Sequence, residues 1–136
     1  MGKIYARFLG ITEDQAKETN GKAYIKDETT GKCYVIPYGC WTVGRKDDID
    51  LDIPIETDDL YMSREQAVIM LRKNIIGENS LFIRDTVKRA NSARVDGYKI
   101  DNDFDFQLYN GTTLMMGYTN FTVHLNPINN QKMPRQ

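Results

Sequence analysis

Ala67-Val68-Ile69-Met70-Leu71 is apolar at every position, so an extended chain here needs cover on both faces, and its β-branched members favour the pleated state. Such a run belongs at the centre of a sheet. Downstream, Gly77-Glu78-Asn79-Ser80 turns the chain into Leu81-Phe82-Ile83. Upstream, Trp41-Thr42-Val43 leads into Gly44, and Asp52-Ile53-Pro54-Ile55 reads as a short edge strand, because Pro54 has no N–H to give a central ladder. Further out, Ala23-Tyr24-Ile25 and Cys33-Tyr34-Val35-Ile36 flank Asp27-Glu28-Thr29-Thr30-Gly31, a hairpin loop. At the far end, Asn110-Gly111 precedes Thr113-Leu114-Met115-Met116, which Gly117-Tyr118 separates from the alternating Phe121-Thr122-Val123-His124-Leu125; these form a closing hairpin. From Lys22 onward no stretch keeps a 3.6-residue apolar period. Short strands at this spacing predict an all-β sandwich.

The flanks differ in kind. Thr12 and Gln15 have the spacing of a capping box ahead of Ala16 and Lys17, which predicts a short helical turn within an N-terminal extension, residues 1–21. The domain is expected over residues 22–126. Residues 127–136 are polar, with Pro134 and few large apolar groups, and read as a flexible tail.

With 136 residues the chain suits one compact domain, and 18 Lys and Arg against 19 Asp and Glu leave no large field of one sign. Nucleic acid and membrane are therefore not expected partners. No apolar run approaches the roughly 20 residues that span a bilayer, and the first residues lack the apolar stretch of a signal peptide, so a cytoplasmic location is expected. Two cysteines, Cys33 and Cys40, do not make a disulfide framework and are expected to be reduced. His124 is the sole histidine, with no Cys or His near it at ligand spacing. No metal site and no cofactor are expected, and His124 is expected on the solvent side of its strand.

Three turns carry residue types that one end of a sandwich can gather: Gly44-Arg45, Ser63-Arg64 and Asn91-Ser92. A guanidinium gives phosphate oxygens two parallel charge-assisted hydrogen bonds, a hydroxyl rotates to give another, and an amide holds peptide main chain through both its donor and its acceptor. No general base stands beside a nucleophile in this set, so it suits binding a phosphate-bearing peptide, and no enzyme activity is expected.

Taken in order, Gly44-Arg45, Asp52-Ile53-Pro54-Ile55, Ser63-Arg64, Asp85, Asn91, Asp96-Gly97 and the stretch Leu108-Tyr109-Asn110-Gly111-Thr112-Thr113-Leu114-Met115-Met116-Gly117 resemble the signature of the forkhead-associated (FHA) family, from about Lys22 to Leu125. The resemblance implies an all-β, FHA-like (SMAD/FHA) β-sandwich of about 11 strands with phosphopeptide-binding loops at one end. It also implies a phosphothreonine-dependent protein–protein interaction module that docks a phosphothreonine-containing protein in signalling. Carried over by position, Arg45 and Ser63 would meet the phosphate, Arg64 would be a further peptide contact, and Asn91 would hold the peptide backbone. Gly44, Gln66, Asp85 and Gly97 would support the loops.

The chain departs from the family pattern at three places. Gln66 stands three residues after the serine where the family usually has histidine, Ala90 replaces a hydroxyl residue, and Lys46-Asp47-Asp48-Ile49-Asp50 lengthens the interval between Arg45 and Ser63. These departures motivate an alternative, an FHA-like scaffold domain that binds an unphosphorylated protein. Ser63 and Asn91 each also have a purely local use in closing a turn, and Arg64 has one in pairing with a carboxylate such as Asp85.

Overall fold

A computed structural model of the chain describes residues 9–19, 22–47, 50–86, 92–100 and 102–127. A first strand, β1 (Ala23–Asp27), is followed by β2 (Cys33–Val35), β3 (Gly39–Arg45) and β4 (Ile53–Ile55). The long central pair is β5 (Ala67–Lys73) and β6 (Asn79–Asp85), and β7 (Arg94–Val95), β8 (Tyr98–Lys99) and β9 (Phe106–Leu108) are short. The chain closes with β10 (Thr113–Met116) and β11 (Thr119–Leu125). Among the described residues the eleven strands form two sheets, one ordered β2-β1-β11-β10-β7-β8 and the other β4-β3-β5-β6-β9. The architecture is the mostly-β sandwich that the strand spacing predicts.

Side-chain alternation builds the core. Phe121, Val123 and Leu125 on β11 face inward with Ile25 on β1, against Ala67, Ile69 and Leu71 on β5 and Leu81 and Ile83 on β6. Burying each such side chain contributes roughly 1.5–3 kcal/mol. The all-apolar run 67–71 lies mid-sheet, paired on both sides; Met70, on its outer face, is still only 8% exposed. Pro54 sits on the outermost strand, β4, which runs parallel to β3 and places Pro54 opposite Gly44. Tyr34 crosses the interior: it is fully buried on β2, and its hydroxyl accepts the Glu56 N–H at 3.1 Å, just past the end of β4 in the other sheet. Burial pushes this phenol up to about 12.

The helical turn forms as α1 (Glu13–Thr19), opened by a reciprocal box in which the Thr12 N–H donates to Gln15 Oε1 and the Gln15 N–H to Thr12 Oγ1. A seven-residue helix has little stability of its own in water. Packing holds it: Ala16 joins Tyr24, Cys33 and Val35 in a small second core on the outer face of the six-stranded sheet, and Ile11 bonds Cys33 in both directions along the edge of β2. This covering also changes the setting of His124. Its ring stacks on Tyr24 at 4.4 Å and its Nε2 lies 3.6 Å from Glu13, so His124 is on the outer face as the strand alternation predicts but partly under α1, its side chain 35% exposed. Hydrogen bonds from Tyr24 and Lys26 hold the Glu13 carboxyl below the ordinary range.

Two smaller differences concern turns. The β5–β6 turn is built by Asn74, whose side-chain oxygen accepts the N–H groups of Ile76 and Glu78, so the strand begins at Asn79, inside the stretch expected to turn. Tyr109 and Tyr118, strand-end residues whose amphipathic rings would ordinarily lie half-buried, are 61% and 69% exposed. Of the expected tail, residues 128–136 lie outside the described residues, as do residues 1–8 of the extension. No helix among the described residues is long and apolar enough to cross a membrane.

The cysteines are free, Cys33 buried under α1 and Cys40 exposed on β3. Burial pushes the Cys33 thiol up from 9.0 to about 11, with the Glu13 charge adding to it. The folded state thus favours the neutral thiol: this contribution to stability is complete below pH 9.0 and is lost as pH rises to about 11. In a chromogenic thiol assay at about pH 8, below the thiol's ordinary range, Cys40 should react at once and Cys33 only after denaturation. Two fast thiols would mean that α1 does not cover its strand.

Candidate functional site

The site begins with a missing side chain. Gly44, on the last turn of pleat before β3 ends, lies so close to the loop after β4 that a Cβ there would fall 2.3 Å from the Arg64 carbonyl oxygen and 2.8 Å from that of Ser63. Only glycine permits this approach. With the backbones in contact, the Arg45 N–H donates to the Ser63 carbonyl at 2.9 Å, and the Arg45 side chain doubles back so that Nε donates to the Met62 carbonyl at 2.9 Å. Arginine and serine, far apart in the chain, therefore share one rim. The Nε bond leaves the outer part of the guanidinium to meet other groups, and the side chain is 22% exposed.

A second glycine braces the other side of the same loop. A Cβ on Gly117, in the β10–β11 turn, would lie 2.5 Å from the Met62 nitrogen and 2.5 Å from Asp59 Oδ2. Asp59 ties the two segments together, its Oδ2 accepting from the Tyr118 N–H and the Thr119 hydroxyl and its Oδ1 from the Tyr61 N–H. The rings of Tyr61 and Tyr118 meet at 4.6 Å above this junction. Sequence reasoning missed Asp59, because nothing local in Thr57-Asp58-Asp59-Leu60 tells which carboxylate reaches a turn 59 residues away.

Gln66 closes the loop from beneath. It is fully buried; its Oε1 accepts the Ser63 N–H at 2.9 Å and its Nε2 donates to Asp85 Oδ1 at 3.3 Å. Asp85, 1% exposed at the end of β6, also accepts from the Ala93 N–H at 3.5 Å. Thr86 adds a bond from its hydroxyl to the Glu65 carbonyl at 2.6 Å. The residues on either side of segment 87–91 are thus tied to the Ser63 loop. Asn91 itself, with Lys88, Arg89 and Ala90, lies outside the described residues.

The other named positions divide. Arg64 is 56% exposed, and its Nε lies 3.8 Å from Asp47; the carboxylate it meets is Asp47 and not Asp85, whose Oδ1 is committed to Gln66. Gly97 is in the two-residue turn joining β7 and β8, where Asp96 and Gly97 both have positive φ (50° and 87°), as a type I′ turn requires. Of the acidic insertion, Asp47 faces the arginines; Asp52, beyond the insertion, is turned to Thr42 and accepts from its N–H and hydroxyl. Asp48 and Ile49 lie outside the described residues. No group of His, Cys, Asp and Glu that could hold a metal ion occurs among the described residues. A groove of about 530 Å³ beside the same loop is lined by Glu56, Asp58 and Asp59, a sign of charge that repels phosphate.

Gly44→Ala should destabilise the domain by about 2 kcal/mol or more, because the added carbon meets backbone and not a movable side chain. Gln66→Leu should cost roughly 2–4 kcal/mol by removing the acceptor of the Ser63 N–H and one of the donors to the buried Asp85 carboxylate. Urea unfolding monitored by Trp41 fluorescence measures both, and wild-type midpoints for the two variants would remove these residues from the loop's support.

Comparison with known proteins follows the same stretch of chain. The FHA domain family model matches residues 41–117, which take in Gly44, Arg45, Ser63, Gln66, Asp85, Gly97 and Gly117. No curated protein matches in sequence. Among solved structures, an FHA domain studied for its phosphothreonine-dependent interactions is 18% identical, covering 79% of this chain and 99% of its own, with a TM-score of 0.62. Mycobacterium tuberculosis EmbR, solved in complex with a low-affinity phosphopeptide, is 22% identical over 82% of this chain and 26% of its own, with a TM-score of 0.60. The yeast splicing factor Pml1 is 17% identical over 91% of this chain and 97% of its own, also at 0.60. Since the family model spans more than half of the sequence and the sheets follow these domains, the chain belongs to the FHA-domain family.

Proposed function

We propose that the chain is a phosphothreonine-dependent docking module of cytoplasmic signalling, with its recognition unit in residues 22–126. Arg45 and Ser63 take the phosphate, Arg64 adds a cation at the rim, and Asn91 holds the main chain of the bound peptide. Gly44, Gln66, Asp85 and Gly97 keep the loops in place. The observation that carries this reading is the pair of hydrogen bonds from Arg45 to the carbonyls of Ser63 and Met62, which set the guanidinium beside the serine. A guanidinium already held through Nε loses less rotamer entropy when it binds, and its remaining donors match phosphate geometry. The phosphothreonine-dependent domain and the EmbR phosphopeptide complex among the structural neighbours support the same class of ligand. Membership of a family of interaction modules supports binding without chemistry.

Matched peptide libraries carrying threonine or phosphothreonine test the reading by fluorescence anisotropy. The phosphorylated set alone should bind. Arg45→Ala should weaken it by roughly 2–5 kcal/mol, about thirtyfold to several thousandfold. Ser63→Ala should cost about 1 kcal/mol, the worth of one hydrogen bond. Equal affinity for the two sets would leave instead the scaffold reading, in which the same rim meets an unphosphorylated protein.

A further inference from the structure

The rim that the phosphate reading requires already faces an anion of the chain's own. Asp47 lies two residues past Arg45, with Oδ2 3.6 Å from Arg45 Nη1 and 3.8 Å from Arg64 Nε, so one carboxylate oxygen meets both guanidinium groups. These separations exceed the ~2.7–2.9 Å of a hydrogen-bonded charge pair. The carboxylate sits in the field of two cations without being clasped by either, and the Asp47 side chain is 30% exposed. Neighbouring charges are engaged elsewhere. Lys46 turns to Glu56 at 3.6 Å, a carboxylate that Lys32 also holds, while Arg84 pairs with Asp105 at 2.8 Å. Among the described residues, Asp47 is the acidic group that the ion pairs set between the two arginines. The strand itself does not depend on this side chain: β3 ends at Arg45, and the Lys46 N–H bonds the Ile55 carbonyl wherever the Asp47 carboxylate points.

We propose that Asp47 is a displaceable stand-in for phosphate, which a ligand must evict, and that it thereby sets how strongly charged a ligand has to be. The proposal rests on the phosphate reading above. A carboxylate tethered next to its partners acts at an effective concentration on the order of millimolar or more. A singly charged ligand offers the arginines no more charge than Asp47 does, and it gains nothing by exchange. A phosphate monoester, carrying about −1.5 to −2 at neutral pH, offers more and prevails. The feature that lengthens the interval from Arg45 to Ser63 thus becomes a charge filter. Without Asp47 the site should bind phosphate more tightly and discriminate less.

The test follows the side-chain Nε–H resonances of Arg45 and Arg64 while free phosphothreonine, and separately acetate, is titrated into the wild type and into Asp47→Asn at about pH 7.5, above the phosphate's second pKa of ~6. The substitution conserves volume at a surface position, and matching amide spectra check the fold. Expected is a roughly three- to tenfold lower dissociation constant for phosphothreonine in the variant, the worth of one or two half-exposed ion pairs. Acetate, silent in the wild type, should begin to move the same signals. If phosphothreonine binds the wild type and binds Asp47→Asn no tighter, Asp47 is not a competitor and the proposal falls while the phosphate reading stands. If phosphothreonine moves the arginine signals of neither protein, the phosphate reading fails and takes the proposal with it.

Discussion

The close approach of the Gly44 backbone to the carbonyls of Ser63 and Arg64 is the constraint from which the rest of the site follows. A side chain there would drive the two segments apart, breaking the Arg45-to-Ser63 main-chain bond and releasing the guanidinium from Met62. Gly117 does the same on the opposite side, and Gln66 fills the space beneath. The loop after β4 is therefore held from three directions by contacts at the level of backbone atoms. A rim built this way has its geometry settled before a ligand arrives, which lowers the ordering cost of binding.

Electrostatics at this rim are balanced and not simply positive. Two arginines face one aspartate, Lys46 is drawn away by Glu56, and the larger groove alongside is acidic. This local arrangement mirrors the near-neutral composition of the whole chain, with 18 basic against 19 acidic residues. Attraction of a charged ligand from a distance is weak under these conditions, which leaves short-range geometry as the source of any selectivity at such a rim.

The parts of the molecule that were legible in the sequence are those decided by neighbours a few residues apart. The apolar run 67–71 marks a central strand, Pro54 an edge, Gly117 a hairpin, and Thr12 with Gln15 a helix start, and each is found where its local chemistry puts it. The pairing of Gly44-Arg45 with Ser63-Arg64 was readable because an order of motifs carried it. What escaped depends on partners distant in the chain. The roof of α1 over His124 requires Glu13 to meet Tyr24 and Lys26, the loop brace requires Asp59 to reach Tyr118, and the choice of Asp47 over Asp85 as the partner of Arg64 requires Gln66 to have claimed Asp85 first. No periodicity encodes such choices among several equivalent carboxylates.

The same division explains how domains only 17–22% identical keep this architecture. A sandwich core asks for apolar volume at alternating positions, and many side chains supply it with small changes in packing. Identity can drift there while the sheets persist. The rim asks for something that volume cannot supply: two positions without a Cβ, one buried amide with a donor and an acceptor in the right places, and a guanidinium at the end of β3. Gln66 meets the second demand with a side chain other than the family's usual histidine, because the loop needs an acceptor for the Ser63 N–H and a donor for Asp85, and an amide offers both at once. The rim in this fold therefore resides in a handful of local requirements, and the chain's own departure, the aspartate between the arginines, lies past the end of β3, where an added charge leaves the pairing of the sheets undisturbed.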